Sequence, residues 1–162
     1  MNLSAFEPTL FRTAMGSFPT GVAVATCRDA AGQPVGITIN SLTSVSLNPP
    51  LVLFCLTTRA RVYPAFAAAS SFALNILASG QESESRHFSG LHSDDWKSIV
   101  LHDSATDAQP PILAGCIAWL VCQKAEQHPG GDHAIFIGEV TQLATQPQAA
   151  PLLYFRKQYR HL

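Results

Sequence analysis

The feature that most constrains this chain is a series of short apolar runs, rich in β-branched residues and punctuated by turn formers. "GVAVAT" begins at Gly21 and "GITINS" at Gly36, separated by "RDAAGQPV", whose Gly32 and Pro34 supply turn chemistry. Together they predict a hairpin. "LVLFCLTT" from Leu51 and "FALNIL", residues 72 to 77, read as two further strands. Pro49 and Pro50 are expected to end the ladder before the third strand, because neither donates a backbone hydrogen bond. The last third is β: "CIAWLVCQKAEQH" from Cys116, the turn "PGGD", "HAIFIGEVTQLAT" from His133 and "LLYFRKQY" from Leu152. Helical spacing is confined to short pieces. Leu10, Phe11, Ala14 and Met15 recur at helical intervals between Pro8 and Ser17, Val62 to Ala69 is alanine-rich with Pro64 in its first turn, and "QESESRHFSG" ends at Gly90. Residues 91 to 111 read as a loop anchored by Trp96. Six or seven strands, mostly antiparallel because their connections are short, with three short helices, predict one mainly β, barrel-like domain over residues 1–162.

There is no long βαβ series, and no GxGxxG follows a strand to open a helix, so a Rossmann site is excluded. Against this background residues 38 to 52, "TINSLTSVSLNPPLV", stand out. Thr38, Asn40, Ser41, Thr43, Ser44, Ser46 and Asn48 put seven small hydrogen-bonding side chains into eleven residues of an otherwise apolar neighbourhood. A strand with one wet face asks for alternation, whereas here polar residues fall at odd and even positions alike. Two readings follow: a tight bend satisfied by its own side chains, or the polar rim of a slot for a planar, amphipathic heterocycle. The stretch alone does not choose between them.

Composition narrows the partners. With 47% hydrophobic and 13% charged residues, the chain is apolar for a soluble monomer, and a homodimer is the expected way to bury the surplus. The formal net charge of −1 comes with no basic run, which argues against nucleic acid. No apolar run approaches the ~18 residues a membrane span needs. The opening "MNLSAFEPTLF" lacks a basic segment followed by an apolar block, so the expectation is a cytoplasmic protein without a secretory signal. Cys27, Cys55, Cys116 and Cys122 form no CxxC pair and read as buried free thiols. His87 and His92 lie five apart, as do His128 and His133, but with no carboxylate or cysteine at ligand spacing they do not read as a metal site.

"GVAVAT", "GITINSLTSVSLNPPLV", "FALNIL", "RHFSG", "GDHAIFIGEV" and "PLLYF" resemble, in order and spacing, the flavin reductase-like family of the FMN-binding split barrel, from about Phe11 to Tyr159. The family includes reductase components of two-component flavin-dependent monooxygenases. The resemblance implies a homodimeric split β-barrel that holds FMN, or FAD as the alternative, takes electrons from NADH or NADPH, and passes reduced flavin to a partner oxygenase. It implies that Thr38, Asn40, Ser41, Leu42, Thr43, Ser44 and Ser46 line the flavin, with Cys55, Leu56 and Thr57 running beside it. Arg59, Arg61 and Arg86 are the candidates for its phosphate, Arg86 being favoured because Phe88, a possible ring or adenine contact, lies on the same short helix. His133, with Tyr154 or Tyr159, is expected to position the nicotinamide. Two other readings stay open: a split-barrel enzyme that keeps its flavin and reduces a metal or cobalamin, and a flavin-binding module without catalysis.

Overall fold

A computed structural model describes residues 5–89, 95–103 and 109–162. Gly90, expected to end a helix, His92 of the weighed metal pair, and parts of the expected 91 to 111 loop lie outside the described residues. In chain order the elements are α1 (Pro8–Met15), β1 (Thr20–Gly21), β2 (Ala23–Arg28), β3 (Pro34–Ile39), β4 (Thr43–Leu47), β5 (Pro50–Thr57), α2 (Tyr63–Ala68), β6 (Ser71–Ile76), α3 (Glu82–Ser89), β7 (Ala118–Gly130), β8 (His133–Thr145), β9 (Leu153–Phe155) and β10 (Gln158–Arg160). Seven strands form one antiparallel sheet in the order β3-β2-β6-β7-β8-β5-β4, and β1, β9 and β10 form a second, smaller sheet.

The order of the large sheet explains the split. Strands β3 and β4 are neighbours in sequence, separated only by Asn40, Ser41 and Leu42, yet they occupy opposite edges of the sheet. Three residues can connect the two edges only if the sheet curls until its edges approach, so the barrel is curled but its ladder stays open at one seam. The interior is filled from the closed side. Phe54 stacks on Phe136 at 5.2 Å between ring centroids, and Phe72 and Phe66 meet Phe54 edge-on at 5.1 and 5.8 Å. Glycine is required at Gly138 for this packing, since a Cβ there would stand 2.8 Å from Cys122 Cβ and would overlap the Phe72 ring.

A second apolar cluster ties α3 to the outside of the barrel. Phe88 lies flat on β3 because Gly36 has no side chain: a Cβ at Gly36 would be 2.7 Å from Phe88 Cδ1. Trp96 packs on Phe88 with ring centroids 5.0 Å apart, which confirms its expected anchoring role. The segment leading into β7 is fixed by a buried polar pair. Asn75 accepts from Leu113 N at 2.8 Å and donates to Val24 O at 3.1 Å, and Thr26 donates to Pro111 O.

Three sequence expectations need correction. Pro50 begins β5 and pairs with Leu47; proline is tolerated as the first residue of a strand, where no ladder donor is demanded. "LLYFRKQY" is two strands, β9 and β10, because Arg156 and Lys157 take positive φ (49° and 63°) and make a tight hairpin turn without glycine or asparagine. Residues 43–47 are a strand that the sequence reading missed. As an edge strand β4 is wet on both faces, which accounts for polar residues at odd and even positions. A register shift between Ser44 and Ser46 leaves Val45 as a bulge, a common way to blunt an exposed edge.

Candidate active site

The seam is closed by a side chain. Beyond Thr43, which pairs with Leu53, β4 runs out and leaves Cys55 without a ladder partner on that side. Ser41 Oγ takes its place: it accepts from Cys55 N at 3.0 Å and donates to Cys55 O at 3.2 Å, as a strand residue would. Because both bonds go to the backbone, Ser41 acts as a staple rather than a free contact. Asn40, Thr43 and Ser44 are exposed, and neither Asn40 nor Ser44 makes a side-chain hydrogen bond among the described residues. Ser46 and Leu42 are half-buried, Leu42 packed against the core.

An apolar floor lies beside this rim. Residues directly opposite in an antiparallel pair share a face, so the registers Thr43 to Leu53 to Ile137 and Cys55 to Ile135 place these side chains on the outer face of the sheet. Leu51, Leu53, Cys55, Ile135 and Ile137 are all half-buried there, whereas the alternate residues Val52, Phe54, Leu56, Ala134 and Phe136 point into the barrel. Leu56 was expected beside the flavin. Its side chain is buried in the interior, because strand alternation assigns it to the opposite face from Cys55 and Thr57, so only its backbone runs along the seam face.

Where β5 ends and β8 begins, the two are clamped. Thr58 N and Oγ1 donate to Asp132 O at 3.0 and 3.1 Å, and Thr57 Oγ1 donates to the same carbonyl at 3.2 Å. Gly131, at φ 71°, bends the chain so that Asp132 and His133 stand at the mouth. His133 Nδ1 and Asp132 Oδ1 are 2.7 Å apart. That bond, more than the neighbouring charges of His133 and Arg59, holds the Asp132 carboxyl below the usual carboxylate range. Asp132 was not singled out from sequence, although its position directly before His133 was the signal.

A third group gathers around α3. Thr38 Oγ1 donates to Ser85 O at 2.7 Å, Ser85 Oγ lies 2.8 Å from Tyr159 OH, and the Tyr159 and Tyr154 rings are 5.3 Å apart. Thr38 is thereby turned to α3 and not to the rim. Arg86 sits over the Tyr159 ring at 5.0 Å and is held by Glu82, with Nη2 2.6 Å and Nε 2.8 Å from Oε1. Glu82 one helical turn before Arg86 is an i,i+4 pair that the sequence displays but that went unread. Glu82, Arg86, Ser89, Tyr154, Lys157 and Tyr159 line a pocket of about 450 Å³. Phe88, expected as a ring or adenine contact, is 1% exposed and belongs to the core, because α3 turns it toward Gly36.

The structure therefore brings Ser41 to Cys55, His133 to Thr57, and Arg86 to Tyr154 and Tyr159. It does not join His133 to the two tyrosines in one cluster: among the described residues the two groups share no hydrogen bond, ion pair or ring contact. No group of three or more histidine, cysteine or acidic side chains among the described residues could hold a metal. No helix among them is long and apolar enough to cross a membrane.

A split barrel with a polar rim over an apolar floor defines the class. A family model described as flavin reductase like domain matches residues 15–162, and the chain belongs to that family. It is 38% identical to the flavin-dependent monooxygenase reductase subunit HsaB of Rhodococcus jostii (strain RHA1), covering 96% of this chain and 78% of that protein. It is 40% identical to the stachydrine N-demethylase reductase subunit Stc3 of Rhizobium meliloti (strain 1021) over 87% of this chain, but it spans only 60% of that relative's length. Among solved structures, the NADH:FAD oxidoreductase SgcE6 of Streptomyces globisporus C-1027, in complex with NAD and FAD fragments, has TM-score 0.88 and 35% identity, covering 99% of this chain and 97% of that one.

Proposed function

We propose that this chain is an NAD(P)H:flavin oxidoreductase that reduces FMN or FAD and supplies the reduced flavin to a partner oxygenase. The observation that carries this reading is the seam: exposed side chains of Asn40 and Ser44 without hydrogen-bond partners among the described residues, with the exposed Thr43 hydroxyl bonded only to the Ser44 carbonyl, border a half-exposed apolar face in a chain of the flavin reductase family. The donor set fits a flavin, whose flat ring needs an apolar floor and whose polar edge needs small side chains and backbone groups. When bound, the flavin supplies the acceptor for hydride from the nicotinamide, so the protein needs no nucleophile of its own.

The chain's residues then bind and orient. Ser41 fixes the rim at its distance from β5, Asn40, Thr43 and Ser44 meet the polar edge, and Leu53, Cys55 and Ile135 support the ring. His133 positions the nicotinamide, held in one orientation by Asp132, and acts by placement rather than proton transfer. The phosphate is met by one of Arg59, Arg61 and Arg86; Arg86, held by Glu82 over the Tyr159 ring, faces the pocket it shares with Tyr154. We read residues 1–162 as one such domain, working in the cytoplasm as a homodimer. α1 supports the homodimer: it buries none of its residues, and Phe11 and Met15 are 54% and 56% exposed on it.

Steady-state NADH oxidation with and without added free FMN tests the reading. Turnover that requires added flavin is expected. Turnover that needs a different acceptor would support a retained-flavin enzyme, and binding without turnover a storage module.

A further inference from the structure

The pocket of about 450 Å³ between α3 and the β9–β10 hairpin is built, not incidental. Ser85, wholly buried on α3, sets its Oγ 2.8 Å from Tyr159 OH and so fixes the tyrosine ring. Arg86 lies over that ring at 5.0 Å and is gripped from the side by Glu82 Oε1, through Nε at 2.8 Å and Nη2 at 2.6 Å. These contacts orient the guanidinium before any ligand arrives. Its Nη1 makes no bond among the described residues and keeps its hydrogens for one.

The opposite wall is strained. Arg156 and Lys157 take positive φ, 49° and 63°, in a turn where asparagine or glycine is usual. Arg156 secures it, since its N donates to Gly16 O at 2.9 Å and its guanidinium lies over Phe155 at 5.0 Å. Strained backbone that its surroundings hold in place clusters at functional sites, and here it sets Lys157 at the pocket. Lys157 Nζ and the Tyr154 hydroxyl make no hydrogen bond among the described residues. Gln158 Oε1 accepts from Arg160 Nη2 at 2.6 Å, which leaves its Nε2 as a donor. A guanidinium, an ammonium, a phenol and an amide thus line one pocket, a set that suits a tetrahedral oxyanion.

Glu82 discriminates among oxyanions. Its Oε1 is committed to Arg86, whereas Oε2 makes no bond among the described residues. An ionised carboxylate can only accept hydrogen bonds. Near neutral pH sulfate carries no hydrogen and is repelled, whereas hydrogen phosphate carries one and can donate it to Oε2. We infer that this pocket is a binding site for inorganic phosphate, separate from the site of the flavin's own phosphate, with Arg86 and Lys157 supplying the charge and Glu82 the selectivity. The pocket is wider than one anion needs, so the anion keeps water on its open side.

The test is isothermal titration calorimetry of the full chain without flavin, near neutral pH and at constant ionic strength, with inorganic phosphate and with sulfate. The wild type is expected to bind phosphate at least about tenfold more tightly than sulfate, the least that a hydrogen bond to a charged group supplies. Lys157→Gln removes a cation at an exposed turn and should raise the phosphate Kd about tenfold. Glu82→Gln keeps an oxygen for Arg86 but adds a donor, so it should weaken phosphate, tighten sulfate and abolish the preference. Equal affinity for the two anions in the wild type, or an unchanged phosphate Kd in Lys157→Gln, would mean a general attraction of anions to surface charge and overturns the site. Saturating FMN should leave the phosphate Kd unchanged. Displacement of phosphate by FMN would give the pocket to the flavin's own phosphate, overturning this inference while the flavin reading stands. A chain that takes phosphate but no flavin would overturn the flavin reading alone.

Discussion

The two sides of the barrel solve the same problem by different means. From β2 through β6, β7 and β8 to β5 the ladder is continuous, backbone pairs with backbone, and side chains are free to pack, so the interior fills with Phe54, Phe72 and Phe136. At the seam the ladder is missing. There Ser41 replaces a strand with one hydroxyl, and the neighbouring β4 is mostly small and polar and buries none of its residues. Stability is concentrated on the closed side and binding chemistry at the open one. A pair of strands that hydrogen-bonded fully across the gap would leave no unpaired donors for a ligand.

The sharpest way to break that contrast is to cut the closed side. Phe136→Ala should destabilise the fold by about 3–5 kcal/mol, the usual cost of emptying an aromatic core site, read as a shift in the urea midpoint. Flavin affinity per folded molecule should be little changed. The closed side also predicts alkaline sensitivity. Burial pushes the thiols of Cys27, Cys116 and Cys122 up to about 12 from 9.0. Below pH 9 these groups are protonated in both folded and unfolded chains. Between about 9 and 12 only the unfolded chain loses the proton, so stability should fall as pH rises, by up to roughly 1.4 kcal/mol per thiol per pH unit. Thermal unfolding at pH 8 and pH 10.5 measures it, and a triple Cys→Ala variant should show a flatter profile.

The open side should respond in the opposite way. Ser41→Ala leaves Cys55 N–H and C=O without their partner and should cost about 1–3 kcal/mol, while weakening flavin binding beyond what that destabilisation explains. Ser44→Leu should move the unfolding midpoint by no more than about 0.5 kcal/mol, as at ordinary surface sites, yet weaken flavin binding measurably in a fluorescence titration. The smallest effect on both stability and flavin affinity is expected of His133→Ala. It should raise the apparent KM for NADH or slow hydride transfer in stopped flow. Equal rates in wild type and variant at every NADH concentration would remove His133 from the nicotinamide site.

How legible each side was in the sequence follows from the same difference. The closed side announces itself: "FALNIL" and "HAIFIGEV" carry apolar residues at strand spacing, and their register follows from which face is buried. The open side speaks through composition only. Seven polar side chains marked the place, but an edge strand with two wet faces has no alternation to find, so β4 was invisible and the rim was located without its shape. Ser41 was picked as a ligand contact because nothing local distinguishes a serine that faces a ligand from one that replaces a strand. The same blindness affected Phe88 and Leu56, whose positions beside plausible site residues said nothing of the face they would take. Phe88 is drawn inward by Gly36, more than fifty residues earlier in the chain, a pairing that only the fold reveals. Arg156 and Lys157 hid a turn, since residues with ordinary side chains rarely take positive φ.

The claim that the ligand enters at the open seam is tested most directly by amide hydrogen exchange of the full chain with and without FMN. The account predicts that added FMN slows exchange in residues 38–46 and 55–61, on the two sides of the Ser41–Cys55 staple, and leaves the amides of β2, β6 and the paired part of β7 unchanged. Protection confined to the closed strands, with the seam exchanging at the same rate in both states, would contradict it.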